Sequence, residues 1–155
     1  VLNGGIEAWR GEGLKIETKV PRVQRSQYSI SLDKSMIVSM SDVKQAHLNG
    51  RTIIDSRAPE RYAGEVEPID QKAGHIPGAM NYFWRDNILE NQIWKDPRER
   101  VGENEHGQEP IVYCGSGVTA CVNLLAFQEA GIHAKLYPGS YSDWISYEDN
   151  EIETS

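Results

Sequence analysis

The chain has 155 residues, of which 39% are hydrophobic and 25% are charged, a composition typical of a soluble globular protein. This length holds one ordinary domain, because domains usually contain about 100–150 residues. The formal net charge of −7 disfavours non-specific binding to nucleic acid. The apolar runs are only a few residues long, so we expect neither a transmembrane span nor a signal peptide.

The two cysteines, Cys114 and Cys121, are too few for a disulfide scaffold or for a zinc site with four thiolate ligands. Such sparing use of cysteine indicates a reducing compartment. We therefore expect a cytoplasmic protein that binds neither nucleic acid nor a membrane. Either cysteine can then serve as a working thiol.

The first residues are similar to a segment near the other end of the chain. One and the same spacing separates Gly4 from Gly139 and Trp9 from Trp144, and each copy follows two apolar residues. A glycine turn followed by a tryptophan that anchors a short helix fits both copies. We therefore predict that residues 1–19 are the end of a preceding domain, with chance similarity as the alternative.

Residues 20–35 have the composition of a linker, because basic residues are scattered among polar ones around Pro21. A basic arm that binds nucleic acid is the alternative. Such an arm would interleave aromatic residues with basic ones, but Tyr28 is the only aromatic residue in this stretch. We therefore predict a solvated connector. It leads into a domain over residues 36–150, which is followed by a tail at residues 151–155.

Within this domain, short apolar strands alternate with helices. The pattern predicts strands at residues 37–38, 52–54, 111–113 and 134–137. It predicts a helix capped by Ser41, a helical turn near residues 57–62 and a helix over residues 119–130. Repetition of strand, loop and helix is typical of an α/β domain with a mostly parallel sheet. Reactive groups gather at the carboxyl ends of the strands in such a sheet.

Cys114 lies at such a strand end, directly before the helix predicted over residues 119–130. Gly115 and Gly117 permit backbone conformations that point successive N–H groups at one centre. A nest of amides at a helix N-terminus holds an anion and lowers the pKa of a thiol. The pattern therefore predicts a Cys114 thiolate in a cradle of backbone donors. A buried structural cysteine before a glycine-rich turn is the alternative.

Two rival chemistries fit this loop poorly. A cysteine phosphatase would end the loop with an arginine that binds phosphate, whereas Thr119 and Ala120 stand there. Disulfide exchange with Cys121 fails because roughly 10 Å of helix would separate the two thiols. We predict instead that Cys121 is a core residue of the helix. What remains is chemistry in which the thiolate accepts one atom and the amides stabilise the adduct.

The run CGSGVTAC at residues 114–121 resembles the active-site loop of the rhodanese superfamily. It is most similar to that of the tandem-domain thiosulfate and 3-mercaptopyruvate sulfurtransferases. Three further segments resemble family motifs in the family's order: Asp55-Ser56-Arg57 with Glu60-Arg61-Tyr62, then residues 73–79, then residues 137–144. The resemblance covers the domain predicted above. It implies a rhodanese-like α/β fold with a central, mostly parallel five-stranded sheet flanked by helices.

The resemblance also implies a mechanism. The Cys114 thiolate would take a sulfane sulfur from thiosulfate or 3-mercaptopyruvate as a persulfide and pass it to cyanide, a thiol or thioredoxin. No metal and no organic cofactor is needed. Backbone amides of the loop would stabilise both the thiolate and the persulfide. The loop residues that the resemblance assigns to substrate binding are Gly115, Ser116, Gly117, Val118, Thr119 and Ala120.

Other positions carry over from the family one by one. Arg61 matches the arginine that grips the anionic end of the donor, and a surface ion pair with Glu60 or Glu65 is the alternative. The uncharged residues Gly115 and Ser116 resemble those at the same loop positions in the 3-mercaptopyruvate enzymes. The resemblance implies that Ser116 interacts with the proton or the carbonyl group of that substrate. A second carboxylate-binding arginine of some relatives falls at Ile69 in this chain.

The remaining polar candidates have supporting roles. Asp55 and Arg57 follow a strand end and are expected to brace the site. The resemblance places His75 in a structural turn, where it makes a structural hydrogen bond rather than acting as a base. The other histidines share no metal-ligand spacing; they are His47, His106 and His133.

Two other functions compete with the sulfurtransferase. A non-catalytic rhodanese-like module for binding, regulation or sulfur carriage would be expected to lack Cys114, which is present. A phosphatase or arsenate reductase would need an arginine at the end of the cysteine loop, and this chain has none there. In the full-length protein we expect the domain to pack against a first rhodanese-like domain and to use small-molecule sulfur donors and acceptors.

Overall fold

β-branched and aromatic residues form the two central strands of a parallel sheet. In the computed structural model, which describes residues 2–31, 33–97 and 109–155, the strands are β1 (Ile53–Asp55), β2 (Met80–Asn81), β3 (Ile111–Tyr113) and β4 (Lys135–Leu136). Their order across the sheet is β2-β1-β3-β4, and neighbouring strands run parallel. The α/β fold with a parallel sheet is therefore confirmed.

Helices precede, connect and follow these strands. They are α1 (Gly5–Gly11), α2 (Met40–Leu48), α3 (Pro59–Ala63), α4 (Ala120–Glu129) and α5 (Ser140–Trp144), with short 3₁₀ turns at Lys34–Met36 and Trp84–Asn87. The prediction that Ser41 caps α2 was wrong. Ser39 is the N-cap, because its hydroxyl accepts from the Asp42 N–H while the Asp42 carboxylate accepts from the Ser39 N–H.

The sheet formed by the described residues has four strands rather than the expected five. The strand predicted at residues 37–38 is reduced to one parallel bridge between Ile37 and Leu136. The chain cannot extend it, since Ser39 already caps helix α2. Strand β2 was not predicted, because it has only two residues and its second residue is the polar Asn81, so the sequence shows no apolar run there.

Alternate residues of the central strands point to opposite faces of the sheet, and helices cover both faces. Ile53 and Ile111 lie in the core cluster that includes residues of α2 and α5. Ile54 and Val112 lie in the cluster that includes residues of α4. Cys114 belongs to this second cluster, so the thiol lies on the α4 side of the sheet.

The prediction that Cys121 is a core residue was wrong, since this cysteine is exposed. The buried positions of α4 are Ala120, Asn123, Ala126 and Phe127. These positions recur at helical spacing and define one inward stripe, and residue 121 falls outside it. Its Sγ donates to the Gly117 carbonyl at 3.3 Å.

The two ends of the described chain differ in how they contact the domain. Helix α1 follows Gly4 and contains no buried residue, and its Trp9 is 37% exposed whereas Trp144 in α5 is 4% exposed. The segment at residues 151–155 lies against the loop before β2, where Glu153 and His75 form an antiparallel bridge. Within the described residues, no helix combines the length and apolarity that crossing a membrane requires.

Candidate active site

Cys114 follows β3 at the point where the chain leaves the sheet and turns towards α4. The residue is only 2% exposed. Its backbone N–H donates to the Ser140 hydroxyl at 3.2 Å, and its carbonyl accepts from the Tyr141 N–H at 3.0 Å. These bonds fasten the cysteine to the start of α5, so the thiol is positioned by a strand and a helix together.

Hydrogen-bond donors surround the sulfur of Cys114. They are the hydroxyl of Thr119 and the backbone N–H groups of Ala120, Ser116 and Thr119. Burial raises the pKa of the thiol, but these four donors favour the thiolate and together hold the pKa of Cys114 below its ordinary value. The loop therefore stabilises an anion on this sulfur.

The conformation of the loop depends on Gly117. Its φ of +79° lies in the left-handed region, and a Cβ at this position would lie 2.6 Å from the Pro138 carbonyl oxygen. Such contacts essentially never occur for a real Cβ, and the obstructing atom belongs to the backbone. Glycine is therefore required here both by its backbone angle and by the close approach of a second loop.

We expect Gly117→Ala to lower the free energy of unfolding by about 3 kcal/mol, because the left-handed φ and the clash with Pro138 both oppose a side chain. Gly131→Ala is the matched control, since Gly131 also has a φ of +79° but no atom lies near its missing Cβ. Its expected loss is about 1 kcal/mol, from the backbone angle alone. Urea unfolding of both variants checks this, and equal losses would exclude the clash.

The loop presents alternate residues to solvent. Ser116 and Val118 are exposed, whereas Gly117 and Ala120 are buried. A Cβ on Gly115 would lie 3.7 Å from Nη1 of Arg61, so the loop and this guanidinium are direct neighbours. The surface beside the thiol therefore combines uncharged loop residues with one cation.

Arg61 lies on α3 and its side chain is mostly buried, at 17% exposure. Its Nη2 donates to Glu67 Oε1 at 2.7 Å and to Asp70 Oδ2 at 3.2 Å, and its Nε donates to Glu67 Oε2 at 3.1 Å. These partners differ from Glu60 and Glu65, the partners of the surface alternative. The guanidinium is thus held in a defined position beside the cysteine loop.

Asp55 and Arg57 form a buried ion pair at the end of β1, with Nη2 of Arg57 2.6 Å from Oδ2 of Asp55. Burial lowers the pKa of Arg57, but the Asp55 carboxylate raises it by more. The pKa therefore lies above its ordinary value, and the guanidinium stays charged. The guanidinium also stacks on the Tyr141 ring, with its carbon 3.9 Å from the ring centroid. Since the Tyr141 N–H binds the Cys114 carbonyl, the ion pair supports the elements that position the cysteine.

Sequence reasoning missed Glu67 and Asp70 as members of the site. Both carboxylates are nearly buried, and Glu67 binds Arg57 as well as Arg61. The backbone N–H groups of Ile69 and Asp70 also donate to Glu67. Burial raises the pKa of Glu67, but the Arg61 hydrogen bond and these amides outweigh it and hold the pKa below its ordinary value. The signal available in the sequence was the pair of carboxylates on either side of Ile69, which could have been recognised as partners for a nearby arginine.

The His75 side chain contacts Tyr62 rather than the cysteine loop. Its Nδ1 is 2.7 Å from the Tyr62 carbonyl oxygen, and its ring stacks on the Tyr62 ring. Both contacts hold a turn in place. Of the other histidines, His106 lies outside the described residues, and the described part of the chain contains no group of three or more His, Cys, Asp or Glu that could hold a metal.

Fold and site together define a class of protein: an α/β domain in which one buried cysteine sulfur accepts hydrogen bonds from main-chain amides between a strand and a helix. Within this class, the chain belongs to the rhodanese-like domain family, whose model matches residues 39–147. The family fold and the predicted resemblance are therefore confirmed.

Curated relatives carry sulfurtransferase names. A Pseudomonas aeruginosa protein named "Probable 3-mercaptopyruvate sulfurtransferase" is 37% identical over 155 residues, covering 94% of this chain and 54% of the relative. The Escherichia coli 3-mercaptopyruvate sulfurtransferase is 33% identical over 161 residues, covering 99% of this chain and 57% of the relative. The chain thus spans about half the length of the curated relatives it matches.

A solved structure shares the fold. The anaerobic ergothioneine biosynthesis enzyme from Chlorobium limicola, in complex with trimethyl histidine, superposes with a TM-score of 0.87 over 100% of this chain and 41% of that one. The two sequences are 21% identical, so the likeness shows the architecture alone.

Proposed function

We propose that this chain is the catalytic domain of a sulfurtransferase that moves a sulfane sulfur through a persulfide on Cys114. The donors are thiosulfate or 3-mercaptopyruvate, and the acceptors are cyanide, a thiol or thioredoxin. The observation that carries the proposal is the Cys114 sulfur ringed by four hydrogen-bond donors, which lower its pKa. A lowered pKa favours the thiolate, which is the nucleophile that this reaction requires.

The transfer balances without a metal or organic cofactor. With thiosulfate, the Cys114 thiolate attacks the outer sulfur, the S–S bond of the donor breaks, and sulfite leaves with the electron pair. With 3-mercaptopyruvate, the thiolate attacks the thiol sulfur and the C–S bond breaks. The carbon keeps the electron pair and takes the thiol proton, so pyruvate leaves. An acceptor such as cyanide then attacks the terminal sulfur and releases the thiolate.

The loop residues have distinct parts in this proposal. The amides of Ser116, Thr119 and Ala120, which hold the thiolate, also face the negative charge that a persulfide carries. Arg61, fixed beside Gly115, binds the anionic end of the donor. Exposed Ser116 is available to the proton or carbonyl of 3-mercaptopyruvate.

Intact-mass measurement tests the proposal on the protein in its natural length. After incubation with thiosulfate or 3-mercaptopyruvate, we expect a gain of one sulfur atom that cyanide reverses. The mass of a Cys114→Ser variant should stay unchanged under the same conditions. An unchanged wild-type mass with both donors would contradict the enzyme and favour the non-catalytic module.

Thr119 offers a test of thiolate stabilisation. Replacing Thr119 with valine removes the hydroxyl that donates to the Cys114 sulfur, so the pKa of the thiol should rise. The acid limb of the pH profile for sulfur uptake should move to higher pH accordingly, with a smaller uptake rate at neutral pH. The thiolate absorbance measured against pH reports the same shift directly.

Thr119→Ser is the matched control, because it retains the hydroxyl and should leave the limb near its wild-type position. A valine variant whose limb does not move would show that this hydroxyl contributes nothing to the thiolate.

The same proposal extends to the setting of the domain. Residues 1–19 are the end of a preceding rhodanese-like domain, residues 20–35 are the linker, and the catalytic domain packs against that first domain. This arrangement agrees with relatives about twice as long as the matched chain. We also assign the protein to the cytoplasm, where its reactive thiol stays reduced.

A further inference from the structure

Five charged side chains meet beside the cysteine loop and form what we call the charge cluster: Asp55, Arg57, Arg61, Glu67 and Asp70. Glu67 accepts from both arginines, and its side chain is 4% exposed. The cluster contains two guanidinium groups and three carboxylates, so its formal charge is negative. A donor that binds Arg61 therefore meets a cation whose charge is already more than offset by its neighbours.

Asp70 is the member of the cluster that reaches the cysteine loop. Its Oδ2 lies 3.2 Å from Nη2 of Arg61, and its Oδ1 accepts from the Ser142 hydroxyl at 2.6 Å. The Ser142 N–H in turn donates to the Gly115 carbonyl at 3.0 Å. Asp70 is thus held between the donor-binding cation and the residue that follows the nucleophile.

We propose that Asp70 determines which sulfur donor the site accepts, by favouring a singly charged carboxylate such as 3-mercaptopyruvate over a dianion such as thiosulfate. This inference rests on the proposed sulfurtransferase function. It assigns specificity to a carboxylate outside the cysteine loop, which itself carries no charge between Gly115 and Ala120.

The argument is electrostatic. A dianion gains more than a monoanion from Arg61, but it also suffers about twice the repulsion from the fixed Asp70 carboxylate. The uncharged loop supplies no second side-chain cation to offset that repulsion. In a partly buried site, one extra like-charge interaction is large enough to change a rate ratio roughly tenfold.

Asp70→Asn tests the inference, because the amide is isosteric and can still accept from Ser142. The ratio of kcat/KM for thiosulfate to that for 3-mercaptopyruvate should rise roughly tenfold. Asp70→Glu retains the charge and should keep the ratio within about twofold of wild type. Glu60→Gln removes one charge from the exposed Glu60 on α3, whose carboxylate forms no ion pair with Arg61, and it should also leave the ratio unchanged.

A second measurement needs no variant. In the wild-type protein, pyruvate should inhibit sulfur uptake at lower concentration than sulfate, because pyruvate carries one negative charge and sulfate carries two. Sulfate inhibition as strong as pyruvate inhibition would overturn the inference even if Asp70→Asn failed to fold.

The outcomes separate the two proposals. If wild-type protein takes up sulfur and Asp70→Asn leaves the donor ratio unchanged, the specificity role is excluded while the sulfurtransferase stands. If wild-type protein takes up no sulfur from either donor, both proposals fail. A ratio that rises equally in Glu60→Gln would show a general charge effect and would also exclude the role of Asp70.

Discussion

Cys114→Ser should lower the rate of sulfur transfer by about a thousandfold or more, the largest effect of any single change in this domain. A serine hydroxyl ionises far less readily than a thiol, and it cannot form the S–S bond that stores the transferred sulfur. The amide cradle remains in the variant, so the loss isolates the nucleophile itself. Thiocyanate formation from cyanide and either donor measures the rate.

Cys121→Ser is the matched control within the same protein. Cys121 is exposed on α4, and its Sγ donates to the Gly117 carbonyl in a bond that a serine hydroxyl can replace. We expect its transfer rate to stay within about twofold of wild type, as is usual for an exposed position away from the chemistry. If Cys121→Ser lost activity while Cys114→Ser retained it, Cys121 rather than Cys114 would carry the transferred sulfur, and the proposed mechanism would be wrong.

The nucleophile could be located from the sequence because its determinants are local. A short apolar strand, a cysteine at its end and two glycines before a helix lie within a few residues of each other. Gly117 shows why this reasoning works: the left-handed φ that the pattern requires is present at +79°. The bond from the Cys114 N–H to Ser140 could not be foreseen in the same way, since those residues are 26 positions apart.

The errors have a common physical origin. Cys121 was placed in the core of the helix once disulfide exchange with Cys114 had been excluded, but only the packing of α4 against the sheet decides which stripe is buried. The fifth strand was lost because the cap at Ser39 ends the extended chain after one bridge. Arg61 was identified from its motif, yet its partners Glu67 and Asp70 depend on how the loop after α3 folds back.

Arg57→Met should lower the free energy of unfolding by about 4 kcal/mol, the largest stability effect that we expect in the charge cluster. Asp55 is fully buried and would lose its cation, and Glu67 would lose one of two. The Gly74 carbonyl would also lose the donor that now lies 2.6 Å away. Methionine has a similar length and fills the space, so the loss reports uncompensated buried charge more than a cavity. Urea unfolding followed by tryptophan fluorescence measures it.

Arg10→Met provides the comparison, because Arg10 pairs with Glu7 on α1 where both side chains are more than half exposed. Solvent screens such a pair, so its removal should cost less than about 1 kcal/mol. The contrast between the variants follows from burial, since each removes one arginine from an ion pair with a carboxylate. Equal losses would mean that the Asp55 carboxylate finds water or another donor once Arg57 is gone.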